Sequence, residues 1–399
     1  MTQAGRMRVL FFVEGFTDIR FVVGLSEVCD LTLVVPARAF RDSGLDERLR
    51  ESGARVEVHT IEGGRLAFQW RSLVWLLRHG PAFDVVLAQE MLRGGVNATV
   101  AGALRGVPVV TYMGISPIEY FRCRRERGRI GAVAAAVGEA AIRTMMTISG
   151  RLAATALVMG PYLMTVAAPF SRRVAMGRYY GVDVDLFRPA TDAERAALRE
   201  RLDLPRDAFL IVLSSRISHE KDPETVLQAV AFARARGLSA VLLNLGGDYR
   251  EFQALAAGMD VPDAAEWVLG RPAAHPMKEL ADYYRAADVL VQGSLEEGLG
   301  FSPLEALACA VPTVASAVGG LAAHLGAVAT LTPRRDAVAM AAAILQVASN
   351  PGAARAQARR GREYVVRHWN RARAFAELRQ VLAEAAGHVA VPAPQVERA

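Results

Sequence analysis

Gly293-Ser-Leu-Glu-Glu-Gly-Leu-Gly-Phe-Ser-Pro-Leu-Glu-Ala-Leu-Ala-Cys-Ala-Val-Pro-Thr-Val-Ala-Ser316 is the most informative stretch of this 399-residue chain. It follows an apolar run, Val289–Gln292, that reads as a strand, and it leads into a helix. Gly298 and Gly300 permit backbone conformations other residues resist and let a ligand approach the amides. Ser302 has the chemistry of a helix cap, and Pro303 suits a first helical position. A helix opening at a strand's C-terminal end is a natural phosphate site in an open α/β sheet. Glu297 stands before the glycines, and Glu305 is expected in the first helical turn. Glu305 has the acceptors to hold a ribose diol, and Glu297 those to face sugar hydroxyls or developing positive charge. The same spacing, Ser302 to Glu305, also fits a plain capping box.

Outward from this stretch, the second half repeats one logic. Leu210–Ser214, Ala240–Leu245, Trp267–Leu269 and Thr313–Ala315 read as further strands, with helices at Thr225–Arg236, Met277–Arg285 and Pro303–Cys309. In the first half, Val9–Val13, Leu31–Val35, Val56–His59, Val85–Ala88 and Val107–Thr111 read as strands, most of them Val- and Leu-rich without clear alternation, as in strands buried on both faces. Helical patterns such as Ala67–Leu77 and Gly95–Leu104 lie between them. Repeated β-α units predict a doubly wound parallel sheet in each half. The expected boundaries are 1–189, 190–362, a final helix over 363–387 crossing back to the first domain, and a tail at 388–399.

The segment Ser214-Ser-Arg-Ile-Ser-His-Glu-Lys-Asp222 follows the first strand of the second half. Arg216 as a fork and Lys221 as a point charge suit a diphosphate clamp. Lys221 is one of only two lysines among 47 basic residues, which sets it apart from the general arginine usage. A polar surface loop is the alternative reading. His219 lies inside this loop.

Composition narrows the partners. The charged fraction is 22%, and the net charge of +6 favours anionic partners. No basic-aromatic interleaving points to nucleic acid. Cys29, Cys123 and Cys309 are far apart without metal spacing, which suits a reducing compartment. Leu152–Phe170 is uncharged but interrupted by Gly160 and Pro161, so a strand followed by a short helix is expected there rather than a membrane span. Arg122, Arg124, Arg125, Arg127 and Arg129 crowd around one acid, Glu126, either as a solvated turn or as an electrostatic foot on anionic lipid.

The two segments together resemble the retaining glycosyltransferase family four, whose members share the GT-B fold of two doubly wound Rossmann-like domains facing a cleft. Glu297 and Glu305 fall on the family's paired-glutamate motif, and Arg216 with Lys221 on its diphosphate pair. Gly181-Val182-Asp183 with Phe187 and Pro189 resembles the interdomain segment, and Gly319-Gly320 the donor-binding diglycine. Glu14-Gly15 stands where the first domain approaches the donor.

The resemblance implies a metal-independent enzyme without cofactor, moving a sugar from a nucleoside diphosphate sugar to a hydroxyl acceptor with retention. Glu297, Arg216 and Lys221 would be catalytic. Gly15, Glu305, Gly298, Leu299, Gly300, Phe301, Ser302, Gly319 and Gly320 would bind the donor. The acceptor would be a sugar, a lipid-linked sugar or a small molecule, in cell-surface polysaccharide or glycolipid synthesis. The chain would work in the cytoplasm, peripheral at the inner membrane face. Two departures stand out: Met113-Gly114 replaces the family's His-Gly after the fifth strand, and Ala323 replaces a glutamate after the diglycine. Tyr112 and Ser116 join Met113 and Gly114 as acceptor-side candidates. The Asp183-x-Asp185 pair belongs to the interdomain loop rather than to a metal site. A nucleotide-sugar epimerase and a non-catalytic subunit of the same fold are the alternatives.

Overall fold

The computed structural model describes residues 6–126, 131–246, 249–259, 261, 263–272 and 277–388. Among the described residues, thirteen strands form two sheets of seven and six. In the first lie β1 (Arg8–Phe12), β2 (Asp30–Pro36), β3 (Val56–Ile61), β4 (Val85–Ala88), β5 (Val109–Met113), β6 (Thr155–Met159) and β7 (Val174–Gly177). In the second lie β8 (Phe209–Leu213), β9 (Ala240–Leu245), β10 (Val268–Arg271), β11 (Val289–Gln292), β12 (Thr313–Ser316) and β13 (Thr330–Thr332).

Every strand pair is parallel. The orders are β3-β2-β1-β4-β5-β6-β7 and β10-β9-β8-β11-β12-β13. Each sheet therefore reverses its winding direction once, between β1 and β4 in the first and between β8 and β11 in the second. Such a reversal leaves a crevice beyond the strand C-termini, where ligands bind in open α/β sheets.

The strands form where Val, Leu, Ile and Phe occur without polar interruption. Leu10, Phe11, Val85 and Leu87 in the first sheet are fully or almost fully buried, as are Ile211, Leu243 and Val289 in the second. Helices cover both faces of the inner strands; the edge strand β3 leaves Glu57, His59 and Thr60 exposed. Leu152–Phe170 resolves as expected into β6 and a short helix, Pro161–Ala167. Among the described residues no single helix is long and apolar enough to cross a membrane.

By contacts the chain divides into two units. The first comprises residues 1–118, 130–181 and 372–399; the second comprises 119–129 and 182–371. The division falls between Gly181 and Val182, ahead of the join expected near residue 190. The single final helix expected over 363–387 is divided between two helices, Pro351–His368 and Arg371–Ala385. They part at Trp369–Asn370, where Val182 donates its N–H to Trp369 O and Arg371 donates to Val182 O. That exchange with a distant segment takes the backbone groups an unbroken helix would use.

The last helix packs within the first unit. A Cβ added at Gly24 would lie 2.0 Å from the Phe375 ring, so only glycine leaves room for that ring. Phe375 stands 6.2 Å from Phe21. Arg178 pairs with Glu377, and Arg173 with Glu384. The tail expected over 388–399 lies outside the described residues apart from His388.

Candidate functional site

At the winding reversal of the second sheet, the loops leaving β8 and β11 bring distant sequence together. The loop after β8 turns through a 3-10 segment, His219–Lys221, and ends at Asp222 in a left-handed conformation, φ 44°. Asp222 caps the helix Pro223–Ala235 by accepting from the Thr225 amide and hydroxyl. The turn points Lys221 towards the end of β11. Its Nζ donates to Glu297 Oε2 at 2.6 Å, and the two side chains are 18% and 15% exposed. Gln292 Nε2 and Ser294 Oγ also approach Glu297 Oε2, each at 3.3 Å. The loops are further joined by Leu295 N–H donating to Glu220 O.

Arg216 is exposed, and its guanidinium reaches Glu220 Oε1 at 3.5 Å. Burial pushes the Glu220 carboxyl up. Hydrogen bonds from its own amide and from Ser218, with the Arg216 and Lys221 charges, outweigh that and hold it below the usual carboxylate range. The loop thus presents one exposed guanidinium and one anchored ammonium at the sheet's crevice.

The glycine turn is shaped by contact. Gly300 has φ 91° and stands before the helix Phe301–Ala308. A Cβ there would come within 2.3 Å of Leu321. Gly320 donates its N–H to Glu297 O, and a Cβ at Gly320 would lie 2.1 Å from Gly298 O. The diglycine Gly319-Gly320 therefore lies directly against Gly298–Leu299, with no room for a side chain at position 320. Leu299 itself is buried and holds the turn from below.

Two local expectations are corrected. Ser302 does not cap the helix: the helix starts at Phe301 without a side-chain cap, and Ser302 Oγ donates to Ser214 O at 2.7 Å, tying the helix to the end of β8. Glu305 is beyond the first helical turn and only 3% exposed, accepting from the Tyr284 phenol at 3.3 Å. Burial and the Glu305 charge push that phenol well above its ordinary range.

His324 was missed in the sequence. Its Nε2 bonds Leu299 O at 2.8 Å beneath the glycine turn. Burial lowers its basicity, against the opposing pull of Leu299 O and Glu297. Its place five residues after Gly319, on a helix whose start abuts the turn, was the available signal.

The remaining candidates belong to the first unit. Gly15 follows β1 in open space. Tyr112 and Met113 end β5 and are each 2% exposed, too buried to present a side chain to a ligand as they stand. The Tyr112 ring stacks with Phe21 at 5.8 Å and Tyr179 at 5.2 Å. A Cβ at Gly114 would meet Met159 at 2.6 Å, and Ser116 is buried. At this sheet's own reversal, Glu14 after β1 accepts from Arg93 at 2.7 Å and from the Gly94 amide at 2.9 Å. Glu90, after β4, accepts from the same amide at 3.2 Å. Burial, with Glu14 beside it, pushes the Glu90 carboxyl up to about 8.

Of the arginine cluster, Arg122, Arg124 and Arg125 end a helix, Pro117–Arg125, while Arg127 and Arg129 lie outside the described residues. Glu126 is held by Arg334 at 2.8 Å and Arg335 at 2.7 Å. Asp183 Oδ1 accepts from the amides of Asp185 and Leu186, a local turn. Among the described residues no three His, Cys, Asp or Glu side chains gather as metal ligands.

Residues 194–364 match the family model of glycosyl transferases group 1. The D-inositol 3-phosphate glycosyltransferase 1 of Catenulispora acidiphila is 32% identical over 290 residues, 69% of this chain and 66% of that protein. Residues 194–364 of this chain therefore form a domain of the group 1 glycosyltransferases. A second relative, the D-inositol 3-phosphate glycosyltransferase of Xylanimonas cellulosilytica, is 41% identical over 150 residues, 35% of this chain and 34% of that one. The chain thus spans just under two thirds of the first relative's length and about a third of the second's. Among solved structures, Anabaena HepE in complex with UDP superposes with a TM-score of 0.75 at 15% identity, over 95% of this chain and all of that one. That likeness, with the two parallel sheets, makes the fold GT-B.

Proposed function

We propose that this glycosyltransferase moves a sugar from a nucleoside diphosphate sugar to a hydroxyl acceptor, with retention and without a metal. The observation that carries this reading is the Lys221–Glu297 pair at the winding reversal of the second sheet, beside the glycine turn. Lys221 and Arg216 face the diphosphate. The backbone of Gly298, Leu299, Gly300, Phe301 and Ser302, with Gly319-Gly320, forms the donor cradle. Glu297 faces the sugar, and Glu305, drawn back beside Tyr284, closes the nucleoside side. The bond from the anomeric carbon to the β-phosphate oxygen breaks, a bond to the acceptor oxygen forms on the same face, and the departing phosphate takes the acceptor's proton. Lys221 and Arg216 stabilise the charge left on that phosphate.

The acceptor side is assigned to the first unit, around Tyr112, Met113, Gly114 and Ser116, while Gly15 of the same unit is assigned to the donor. Relatives named for D-inositol 3-phosphate make that compound the first acceptor to test, ahead of sugars and lipid-linked sugars of cell-surface polysaccharide or glycolipid. The chain is placed in the cytoplasm, peripheral at anionic membrane through Arg122, Arg124 and Arg125.

The test is release of nucleoside diphosphate from a panel of nucleotide sugars, with and without each acceptor. Release that depends on acceptor, yielding a glycoside of retained configuration, is expected. A donor epimerised without release would indicate an epimerase. Nucleotide binding without turnover of any donor would indicate a non-catalytic subunit.

A further inference from the structure

The second unit has a cavity of 840 Å³ whose lining includes none of the residues assigned to the donor. It opens between Pro189–Asp192, the Cys309–Ala310 turn and one face of the helix Pro351–His368. That face repeats at helical spacing: Arg355, Arg359, Arg362 and Val366 all point to the cavity.

The four arginines of the lining are not equivalent. Arg362 is structural, its guanidinium donating to the carbonyls of Ala308, Phe187 and Val184. Arg195 pairs with Asp288 at 3.3 Å, and its Nε is buried without a partner among the described residues. Arg355 and Arg359 are exposed, one helical turn apart, and neither has an acidic partner among the described residues. Elsewhere arginines are commonly satisfied: Arg199 by Asp288, Arg201 by Asp282, Arg285 by both Asp282 and Glu194. Two carboxylates, Asp192 and Glu363, stand against four arginines in the lining. The cavity therefore carries net positive charge, with two forked donors unengaged.

Pro189, Ala190, Ala310 and Val366 supply apolar surface next to the guanidinium groups. A hollow of this volume is of the size that takes a small molecule, and its concave, partly apolar form does not suit a polyanionic duplex or a flat bilayer. Paired guanidinium groups at one-turn spacing match the oxygens of a phosphate.

We propose that this cavity is a second anion site, taking a small phosphorylated molecule whose phosphate is held by Arg355 and Arg359. Its organic part lies on Pro189, Ala310 and Val366. The site is independent of the transfer reaction. The helix Phe301–Ala308 nevertheless begins at the glycine turn and ends beside the cavity, at the carbonyl that Arg362 holds.

Calorimetric titration of the whole chain with inorganic phosphate and with glucose 1-phosphate tests the site, using Arg355→Gln/Arg359→Gln beside Arg216→Ala/Lys221→Ala. Saturable binding is expected in the wild type and in the Arg216/Lys221 variant, weakened at least tenfold in the Arg355/Arg359 variant. Both altered arginines are exposed, so a thermal melt unchanged from wild type is expected to show that folding is intact. Binding lost only in the Arg216/Lys221 variant would place the phosphate at the donor and overturn the proposal, as would no binding in any form. A parallel titration with phosphatidic acid vesicles separates the sources. No vesicle capture that depends on Arg355 and Arg359 is expected; such capture, competed by soluble phosphate, would put a lipid phosphomonoester there and overturn the small-molecule assignment.

Discussion

Replacing Glu297 by Gln removes the carboxylate that engages Lys221 but keeps its shape and its contacts with Gln292 and Ser294. The ammonium lies 2.6 Å from Glu297 Oε2, with side-chain exposures of 18% and 15%. A diphosphate entering the site must therefore share Lys221 with an existing anionic partner. Losing Lys221 altogether forfeits a charged hydrogen bond of about 1.5–3 kcal/mol. Lys221→Ala should thus weaken nucleoside diphosphate binding by roughly 12-fold to 150-fold. Glu297→Gln should do the opposite. A partly exposed ion pair is worth up to about 1 kcal/mol, so freeing the ammonium should tighten the nucleotide by up to about fivefold.

Turnover should nevertheless fall, on the order of a hundredfold, if Glu297 acts chiefly in the transition state. In the double variant the gain should vanish, because no ammonium is left to free. The resulting non-additivity is about 1 kcal/mol. Calorimetry with UDP and GDP on the four proteins, with turnover of whichever donor proves active, measures every quantity. If Glu297→Gln weakens the nucleotide as much as Lys221→Ala does, or the two effects simply add, the pair does not divide its labour in this way.

Gly320→Ala forces a Cβ to within 2.1 Å of a backbone oxygen, which cannot move as a side chain can. The overpacking should cost about 1–3 kcal/mol, read as a lower melting temperature and weaker nucleotide binding, whereas Gly15→Ala, in open space, should melt as wild type does. Glu90 binds its proton more tightly folded than unfolded, so its contribution is fully present below its ordinary value of 4.5 and is lost as pH rises to about 8. Glu90→Gln should flatten the decline in melting temperature across that window, and an unchanged slope would assign the decline to other groups. Vesicles with anionic lipid should bind the chain and release it in high salt, and Arg122→Gln/Arg124→Gln/Arg125→Gln should weaken the capture several-fold; binding indifferent to lipid charge would leave these arginines as a solvated turn.

The architecture was legible because strands buried on both faces are written as unbroken Val and Leu runs. Two strands escaped. Thr330–Thr332 is three residues at a sheet edge, and Val174–Gly177 is mostly half-buried between arginines and tyrosines, so neither shows a run long enough to read. The break at Trp369–Asn370 carries no proline or glycine; Val182, far away in sequence, makes it. The chemistry of the second unit's crevice was legible as residue types, but the pairing of Lys221 with Glu297 was not. It depends on β8 and β11 being neighbours, a fact of strand order. Ser302 misled for the same reason. Its spacing to Glu305 is that of a cap, yet the hydroxyl goes to Ser214 at the end of β8.

The room left at Gly24 for Phe375 bears on how the chain is made. The first unit is interrupted: everything up to Gly181 apart from residues 119–129, and then nothing more until Ala372. On a ribosome, where chains emerge at about 5–20 residues per second, the roughly 190 residues between Gly181 and Phe375 take about 10–40 s to appear. Throughout that interval the nascent first unit lacks the ring that fills the hollow over Gly24 and the partners of Arg173 and Arg178. It must wait, nearly complete and with an apolar surface uncovered, until the helix Arg371–Ala385 has been made. A stop codon placed after the second unit would leave a chain holding the whole second sheet and the site at its crevice, yet with a first unit unable to finish folding.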